Sequence, residues 1–214
     1  MNEIKGIKAF VFDLDMTLID SSYSIHHCTN LLAKEFNLKE ISREQIMKAI
    51  GLPIEDSWIS FWGEYKEEWL TYYRKNYIEE ENAKLRLFPS TIPTLKTLKE
   101  KGYKTAVVTN RKLPERPIIA VGLKEYLDVI VGTSEVTHPK PHPEPLLVAC
   151  KKLGIEPSEI IYTGDTDIDI KTALAANIKG IGVTTGNFTA EQLKHTGAWK
   201  TIATTDEILK MIGK

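Results

Sequence analysis

Short, largely apolar runs recur along the chain, and segments with helical character separate them. The runs are Ile7–Phe12, Thr105–Thr109, Val129–Val131, Ile160–Tyr162 and Gly180–Val183. Apolar runs of this length are typical of strands that are covered on both faces. Strands that alternate with helices form parallel sheets, because each connection must cross back over the sheet. The pattern predicts an α/β fold built on a doubly wound parallel sheet.

A long interval after the first strand departs from this alternation. Residues 21–84 contain no convincing strand, and amphipathic helices are predicted at Asn30–Phe36 and Arg43–Ile50. Aromatic residues from Trp58 to Tyr77 recur at a helical spacing, which favours packing between helices over a ligand-lining stripe. We therefore expect residues 1–20 and 85–214 to form the sheet domain and residues 21–84 to form an inserted helical domain.

Composition narrows the classes of function. The 28 Lys and Arg residues nearly balance the 29 Asp and Glu residues, which argues against binding of nucleic acid through a basic surface. Cys28 and Cys150 are far apart and belong to no C-x-x-C pair, so buried thiols in a reducing compartment are expected. Met1–Lys5 is charged, the run Ala9–Phe12 is too short for a signal peptide, and no window approaches a membrane helix. These features predict a soluble, cytoplasmic protein with no membrane partner.

The first motif with chemical potential directly follows the first predicted strand. Asp13 and Asp15 stand two residues apart, so both point the same way if the strand continues. Crowded carboxylates repel each other, and a bound divalent cation is a natural reason to keep both ionised. Alone, such a pair is equally well explained by a turn or a helix cap.

A second acidic motif lies between a predicted strand and a predicted helix. Asp165 and Asp169 stand four residues apart after Gly164, so both could face one side where the helix starts. Acidic residues stabilise a helix N-terminus, but three Asp in this stretch exceed what capping needs. The excess predicts metal binding, with Asp167 facing solvent.

Two further segments could bind phosphate. Thr109 and Asn110 supply a hydroxyl and an amide at a predicted strand end, although an ordinary turn would use the same residues. Lys140 lies in a proline-rich loop that could fix a cation against a phosphoryl group, and a solvated surface lysine is the alternative. His138 and His142 flank this loop, but with no third His or Cys nearby we expect no zinc site.

The motifs, taken in chain order and each after a predicted strand, resemble those of the haloacid dehalogenase superfamily. Phe12–Leu18 matches the first motif, Val108–Asn110 the second, Lys140–Pro141 the third, and Gly164–Asp165 with Asp169 the fourth. The resemblance covers nearly the whole chain, since the helical interval matches the family's cap. It implies a Rossmann-like core domain, and the chain looks most like the phosphoglycolate phosphatases and pyrophosphatases of the family.

Two positions qualify this resemblance. Met16 stands where the family usually has glycine, and its larger side chain is expected to restrict the backbone of the first motif. Asp15 is absent from the dehalogenating branch of the family, so its presence favours phosphoryl transfer.

The resemblance implies a role for each motif. Asp13 would attack phosphorus and form an aspartyl phosphate, while Asp15 would protonate the leaving alcohol and later take a proton from water. Mg²⁺ would be held by Asp13, the Asp15 backbone carbonyl and Asp165.

The other motif residues would hold the substrate. Thr109, the Asn110 backbone amide and Lys140 would bind the transferring phosphoryl oxygens. Asp169 would orient Lys140 or a metal-bound water.

The cap would select the substrate. Gly51, Leu52 and Pro53 resemble the specificity loop of such caps, although a simple turn between packed helices explains them equally well. Arg43 and Lys48 could meet a substrate carboxylate, whereas basic residues on a helix usually face solvent.

These features together predict a Mg²⁺-dependent phosphatase that acts on a small phosphorylated metabolite. Phosphoglycolate is the first expectation, followed by inorganic pyrophosphate and a sugar or nucleotide monophosphate. A β-phosphoglucomutase-like phosphomutase is the nearest rival, and a catalytically silent sensor of a phosphate ligand is the alternative from another class. A monomer or a weak homodimer is expected.

Overall fold

The computed structural model of the protein describes residue 4 and residues 6–212. The described part leaves out residues 1–3, 5, 213 and 214. These residues include most of the charged N-terminal stretch and both outer ends of the expected sheet domain. Among the helices that the structure describes, none has the length and apolar character needed to cross a membrane.

A parallel six-stranded sheet forms the centre of the described chain. Its strands, in spatial order, are β5 (Val129–Val131), β4 (Lys104–Val108), β1 (Ala9–Phe12), β6 (Ile160–Gly164), β7 (Lys179–Val183) and β8 (Lys200–Ile202). All neighbouring pairs are parallel. The predicted α/β class is confirmed. The unpredicted strand β8 is short and pairs only with β7, and its sequence Lys-Thr-Ile carries too little apolar signal to be read as a strand.

Both faces of the sheet are buried, which explains why the strands are almost continuously apolar. Phe10 and Phe12 pack in one apolar cluster, whereas Ala9 and Val11 pack in another on the opposite face. The clusters include residues of helices on each face: α6 (Thr91–Glu100) and α7 (Glu115–Ala120) on the first, and α8 (Glu144–Leu153) and α9 (Asp167–Ala175) on the second. A further α-helix of this part, α10, covers Ala190–Thr196, and a six-residue 3-10 helix covers Thr205–Lys210.

A helical segment lies between the first strand and the rest of the sheet. Its helices are α1 (Ser22–Glu35), α2 (Arg43–Ala49), α3 (Ile54–Trp62), α4 (Glu67–Asn76) and α5 (Ile78–Ala83), which we call the cap helices. Two short antiparallel strands, β2 (Ile19–Asp20) and β3 (Arg86–Leu87), pair where the chain leaves and re-enters the sheet region.

An aromatic core holds the cap helices together. Trp58, Trp69 and Tyr73 are almost fully buried, and they pack with Cys28 and Leu32 of α1. The predicted packing of the aromatic residues is confirmed, but Trp58 and Tyr73 also line the cleft described below, so the stripe does both. Both cysteines are free and buried, and burial raises the pKa of the Cys28 thiol to about 12.

Candidate active site

The carboxyl ends of three adjacent strands bring the predicted motifs together. Strand β1 lies between β4 and β6, and Phe12 is opposite both Val107 and Thr163. Asp13, Thr109 and Asp165 follow these strands within two residues of that register. The edge of an open parallel sheet at the carboxyl ends of its strands is where ligands bind. The predicted residues thus share one edge of the sheet.

Lys140 is the cation at the centre of this edge. Its side chain is 2% exposed, and Nζ donates hydrogen bonds to Asp13 Oδ1 at 2.7 Å, Asp169 Oδ1 at 2.7 Å and Tyr162 Oη at 3.0 Å. Burial alone would lower the pKa of Lys140, but the charges of Asp13 and Asp169 raise it above its ordinary value. Lys140 therefore stays charged and points at the predicted nucleophile.

Three buried carboxylates cluster beside Lys140, and two of them, Asp13 and Asp169, contact it. Oxygens of Asp13, Asp165 and Asp169 all lie within 4.8 Å of one another. Burial, with the charges of Asp169 and Asp15, raises the pKa of Asp13 to about 7 although Lys140 opposes the rise. Burial and the charges of Asp169 and Asp13 also raise the pKa of Asp165 well above its ordinary value.

This excess of negative charge fits a divalent cation. Clustered carboxylate oxygens are the hard ligands that Mg²⁺ prefers. A cation among them would offset the repulsion that raises the pKa of Asp13 and Asp165. The donor set of this structure therefore suits the metal that the family resemblance implies.

Asp169 is placed to orient Lys140. Its Oδ1 accepts from Lys140 and from the Tyr162 hydroxyl, and its Oδ2 accepts from the Thr166 backbone N–H at 3.1 Å and hydroxyl at 2.7 Å. Burial would raise the pKa of Asp169, but Lys140 and these hydrogen bonds hold it below its ordinary value. Asp167 instead pairs with exposed Lys171 on the surface.

Two positions near the carboxylates have special backbone geometry. A Cβ on Gly186 would lie 1.8 Å from Asp165 Oδ2, so only glycine lets this backbone approach the carboxylate. Met16 has φ of 58°, in the left-handed region that glycine favours. This gives a physical reason for the glycine that the family usually has there.

Arg111 is a site residue that the motifs did not identify. Its Nε and Nη2 donate to Asp15 Oδ2 and Oδ1, both at 2.7 Å, and its Nη1 donates to Glu81 Oε1 at 2.8 Å. Burial would raise the pKa of Asp15, but the charge and hydrogen bonds of Arg111 hold it below its ordinary value. Glu81 belongs to α5 and also accepts from the Tyr73 hydroxyl. Asp15 is thus linked to the cap helices through one guanidinium.

The side chains of Thr109 and Asn110 make different kinds of hydrogen bonds. Thr109 is 3% exposed, and its hydroxyl accepts from the Arg111 backbone N–H at 3.2 Å. The Asn110 amide donates to the carbonyls of Gly51 at 3.0 Å and Lys140 at 3.1 Å, and its Oδ1 accepts from the Lys140 N–H. The Asn110 side chain is therefore occupied in joining loops, and only its backbone amide stays a predicted phosphate ligand.

The segment Gly51–Pro53 comes close to the catalytic edge. Besides the bond from Asn110, Gly51 has the Thr166 methyl group 3.5 Å from its Cβ position. All three residues of the segment line a cleft between the cap helices and the catalytic loops. This proximity is compatible with the predicted specificity loop.

Two cap cations that sequence suggested for a carboxylate do not line this cleft. Arg43 donates to the Ser22 hydroxyl at 2.8 Å and lies over the Tyr23 ring. Lys48 pairs with Glu44 on the exposed side of α2. Both side chains are engaged within the cap helices, as basic residues on a helix commonly are.

A third potential metal ligand, which the sequence did not indicate, lies beside His138 and His142. Glu144 joins His138 and His142, and its Oε2 lies 2.9 Å and 3.9 Å from their Nδ1 atoms. The same carboxylate accepts from the backbone N–H of Thr137 and of His138. Glu144 therefore braces the loop that carries Lys140.

The cleft has a volume of about 810 Å³, and we call it the cap cleft. Asp13, Asp15 and Thr109 line its inner end, and residues of α2 to α5 line the opposite wall. A substrate phosphate bound at the carboxylates would therefore extend its remaining part into this cleft.

Comparisons with known proteins identify the family of this chain. The family model described as haloacid dehalogenase-like hydrolase matches residues 10–183. A phosphoglycolate phosphatase of Aquifex aeolicus is 34% identical over 176 residues, covering 81% of this chain and 83% of that protein. The pyrophosphatase PpaX of Oceanobacillus iheyensis is 31% identical, covering 83% and 84%.

A solved structure gives the same fold. The crystal structure of a predicted phosphoglycolate phosphatase from Haemophilus somnus matches with a TM-score of 0.87 and 27% identity, covering 97% of this chain and 99% of that one. The chain belongs to the haloacid dehalogenase-like hydrolase family.

Proposed function

We propose that the protein is a Mg²⁺-dependent phosphatase that hydrolyses a small phosphorylated metabolite through an aspartyl phosphate. The observation that carries the proposal is the juxtaposition of Asp13 with Lys140, Asp165 and Asp169 at one end of the cap cleft, beside Asp15. A nucleophile, a phosphate-binding cation, a metal site and an acid are the groups that phosphomonoester hydrolysis requires.

Asp13 supplies the nucleophilic oxygen. Lys140 holds its Oδ1, and Oδ2 makes no hydrogen bond among the described residues. The carboxylate attacks phosphorus, a P–O bond to Asp13 forms, and the P–O bond to the alcohol breaks. Asp13 and Asp165, with the Asp15 carbonyl, would hold Mg²⁺, which neutralises the phosphoryl charge when bound.

Asp15 moves the proton in both halves of the reaction. It protonates the departing alcohol oxygen, and its carboxylate then takes a proton from the water that attacks the aspartyl phosphate. Both Asp15 oxygens accept from Arg111, whose charge holds the pKa of Asp15 below its ordinary value. Arg111 must therefore release one oxygen, and Asp15 must take up a proton there, before Asp15 can donate that proton to the alcohol. Inorganic phosphate and free Asp13 are the products.

The relatives' names guide the choice of substrates to test. Phosphoglycolate is the substrate that the sequence resemblance suggests first. One of the related proteins is named a phosphoglycolate phosphatase and another a pyrophosphatase. A screen for phosphate release over phosphoglycolate, pyrophosphate, sugar phosphates, nucleotide monophosphates and aryl phosphates, with and without Mg²⁺, tests the proposal. We expect release that requires Mg²⁺.

The screen separates the rival functions. A phosphomutase would isomerise a sugar phosphate with little release of phosphate. A silent sensor would release none from any compound, and that result would contradict the proposed function. The presence of both Asp13 and Asp15 at the cleft favours the enzyme, because a sensor needs neither a nucleophile nor an acid.

A further inference from the structure

The cap cleft must receive the group that leaves phosphorus, if the proposed function holds. The leaving oxygen departs opposite the attacking nucleophile. Asp13 and Asp15 both line the inner end of the cleft, so an alcohol protonated by Asp15 lies inside it. The side chains of the cleft therefore determine which alcohol is accepted.

Part of the cap wall of this cleft, on α2 and around the start of α3, is apolar. Ile46 and Ala49 are buried, Ile50, Pro53 and Ile54 are half-buried, and all of them line the cleft. These side chains carry no hydrogen-bond donor. A carboxylate or a second phosphate pressed against them would lose water without gaining a partner, and that desolvation is costly.

Arg111, which binds Asp15, already balances the charges of two carboxylates. Its Nε and Nη2 donate to Asp15, and its Nη1 donates to Glu81. Three of its five N–H donors are used in these bonds, and an anionic leaving group that bound another would lie against two buried carboxylates. Glu81 itself lines the cleft and would repel an anion.

The other cations of the lining lie toward solvent or share the cleft with a carboxylate. Lys75, Lys112 and Arg116 are exposed. Arg74 is half-buried, and Glu55 also lines the cleft. Cations that are exposed to solvent are screened and contribute little to binding an anion.

We propose that the leaving group is an alcohol with a neutral, apolar body, such as one that carries an aryl group, and that Ile54 helps to select it. The cleft volume of about 810 Å³ falls in the range of about 300–1,000 Å³ that encloses drug-sized ligands. Glycolate and phosphate are much smaller than that, and both carry charge that the apolar wall cannot satisfy.

The matched pair of benzyl phosphate and phosphoglycolate tests this proposal. Both release an alcohol from a CH₂ group, and they differ in a phenyl ring against a carboxylate. With Mg²⁺ present, we expect kcat/KM for benzyl phosphate to exceed that for phosphoglycolate and for pyrophosphate by about tenfold or more. Equal or faster hydrolysis of phosphoglycolate or pyrophosphate would overturn the proposal while leaving the proposed function intact.

Two variants on one helix locate the selectivity. Ile54→Asn should lower the benzyl phosphate to phosphoglycolate ratio by about tenfold. Ile59→Asn is the matched control, since Ile59 lies on α3, is 47% exposed and does not line the cleft. A ratio that is unchanged in Ile54→Asn would refute the role of this wall.

A third variant tests the competing explanation. Arg74→Gln should leave the preference for benzyl phosphate unchanged. If phosphoglycolate is preferred and Arg74→Gln removes that preference, Arg74 binds an anionic leaving group and the proposal is wrong. Absence of phosphate release from every compound would contradict the proposed function, and the inference would fall with it.

Discussion

Asp165→Asn should show separately how much repulsion among the buried carboxylates destabilises the folded state and how much bound Mg²⁺ stabilises it. Asp165 is 2% exposed, and burial together with the charges of Asp169 and Asp13 raises its pKa well above the ordinary value. Asparagine keeps the shape and an oxygen that can accept from the Thr17 hydroxyl, which now donates to Asp165 Oδ1 at 3.1 Å. The variant removes one negative charge and one metal ligand with little change in volume.

The size of the effect follows from the charges. For Asp13, the rise in pKa from 3.8 to about 7 corresponds to about 4 kcal/mol at roughly 1.36 kcal/mol per unit. A cation that binds only the folded state stabilises it by about 2.7 kcal/mol at a concentration 100 times its Kd. In a chain of about this length each kcal/mol shifts Tm by about 2–4 °C, so saturating Mg²⁺ should raise Tm by about 5–10 °C.

Thermal unfolding with Mg²⁺ and with a chelator measures both effects. Metal-free Asp165→Asn should unfold at a higher temperature than metal-free wild type near neutral pH, and Mg²⁺ should no longer raise its Tm. Asp167→Asn is the matched control, because Asp167 pairs with Lys171 at the surface, and it should keep the wild-type response. A full Mg²⁺ response in Asp165→Asn would refute the assignment of Asp165 as a ligand.

Three further predictions concern pH, Arg111 and Gly186. Metal-free wild type should lose stability as pH rises from about 5 to 8, because the raised pKa values of Asp13 and Asp165 make the folded state bind more protons than the unfolded state. Asp15 and Asp169, whose pKa values are lowered, stay ionised over this range in the metal-free enzyme and do not contribute to the loss. A Tm that rises over this range without metal would contradict the origin of those shifts. Arg111→Lys should lower kcat for an alkyl phosphate more than for p-nitrophenyl phosphate, because the nitrophenolate leaving group needs less help from an acid. The effect of Arg111→Lys should be largely lost in an Asp15→Asn background. Equal losses in both backgrounds would show that Arg111 does not act through Asp15. Gly186→Ala should weaken Mg²⁺ binding measured by calorimetry, because the new Cβ would overlap Asp165 Oδ2; an unchanged affinity would show that this loop does not hold Asp165.

Residues close in sequence to a strand end were predictable. Asp13, Thr109 and Asp165 each follow a recognisable apolar run, and parallel strands align their carboxyl ends without any further information. The same reasoning gave the parallel sheet and the helical segment after the first strand. Local spacing sufficed because the sheet itself brings these motifs together.

Contacts between distant segments were not predictable in this way. Arg111 and Asp15 are 96 residues apart, and an arginine after a strand is as consistent with a solvated turn as with a buried bidentate pair. Tyr162 reads as an apolar strand residue, yet its hydroxyl meets both Lys140 and Asp169. Arg43 and Lys48 show the converse, since their charge suggested a carboxylate ligand and the structure engages both within the cap helices.

Detection of the phosphorylated intermediate on Asp13 tests the central claim most directly. Enzyme turning over a hydrolysed substrate with Mg²⁺ would be quenched in acid, digested and analysed by mass spectrometry. We expect the mass of one phosphoryl group on the peptide that contains Asp13, and neither that mass nor turnover in a folded Asp13→Asn variant. Turnover near the wild-type rate in Asp13→Asn, or a phosphoryl group on another residue, would contradict the account.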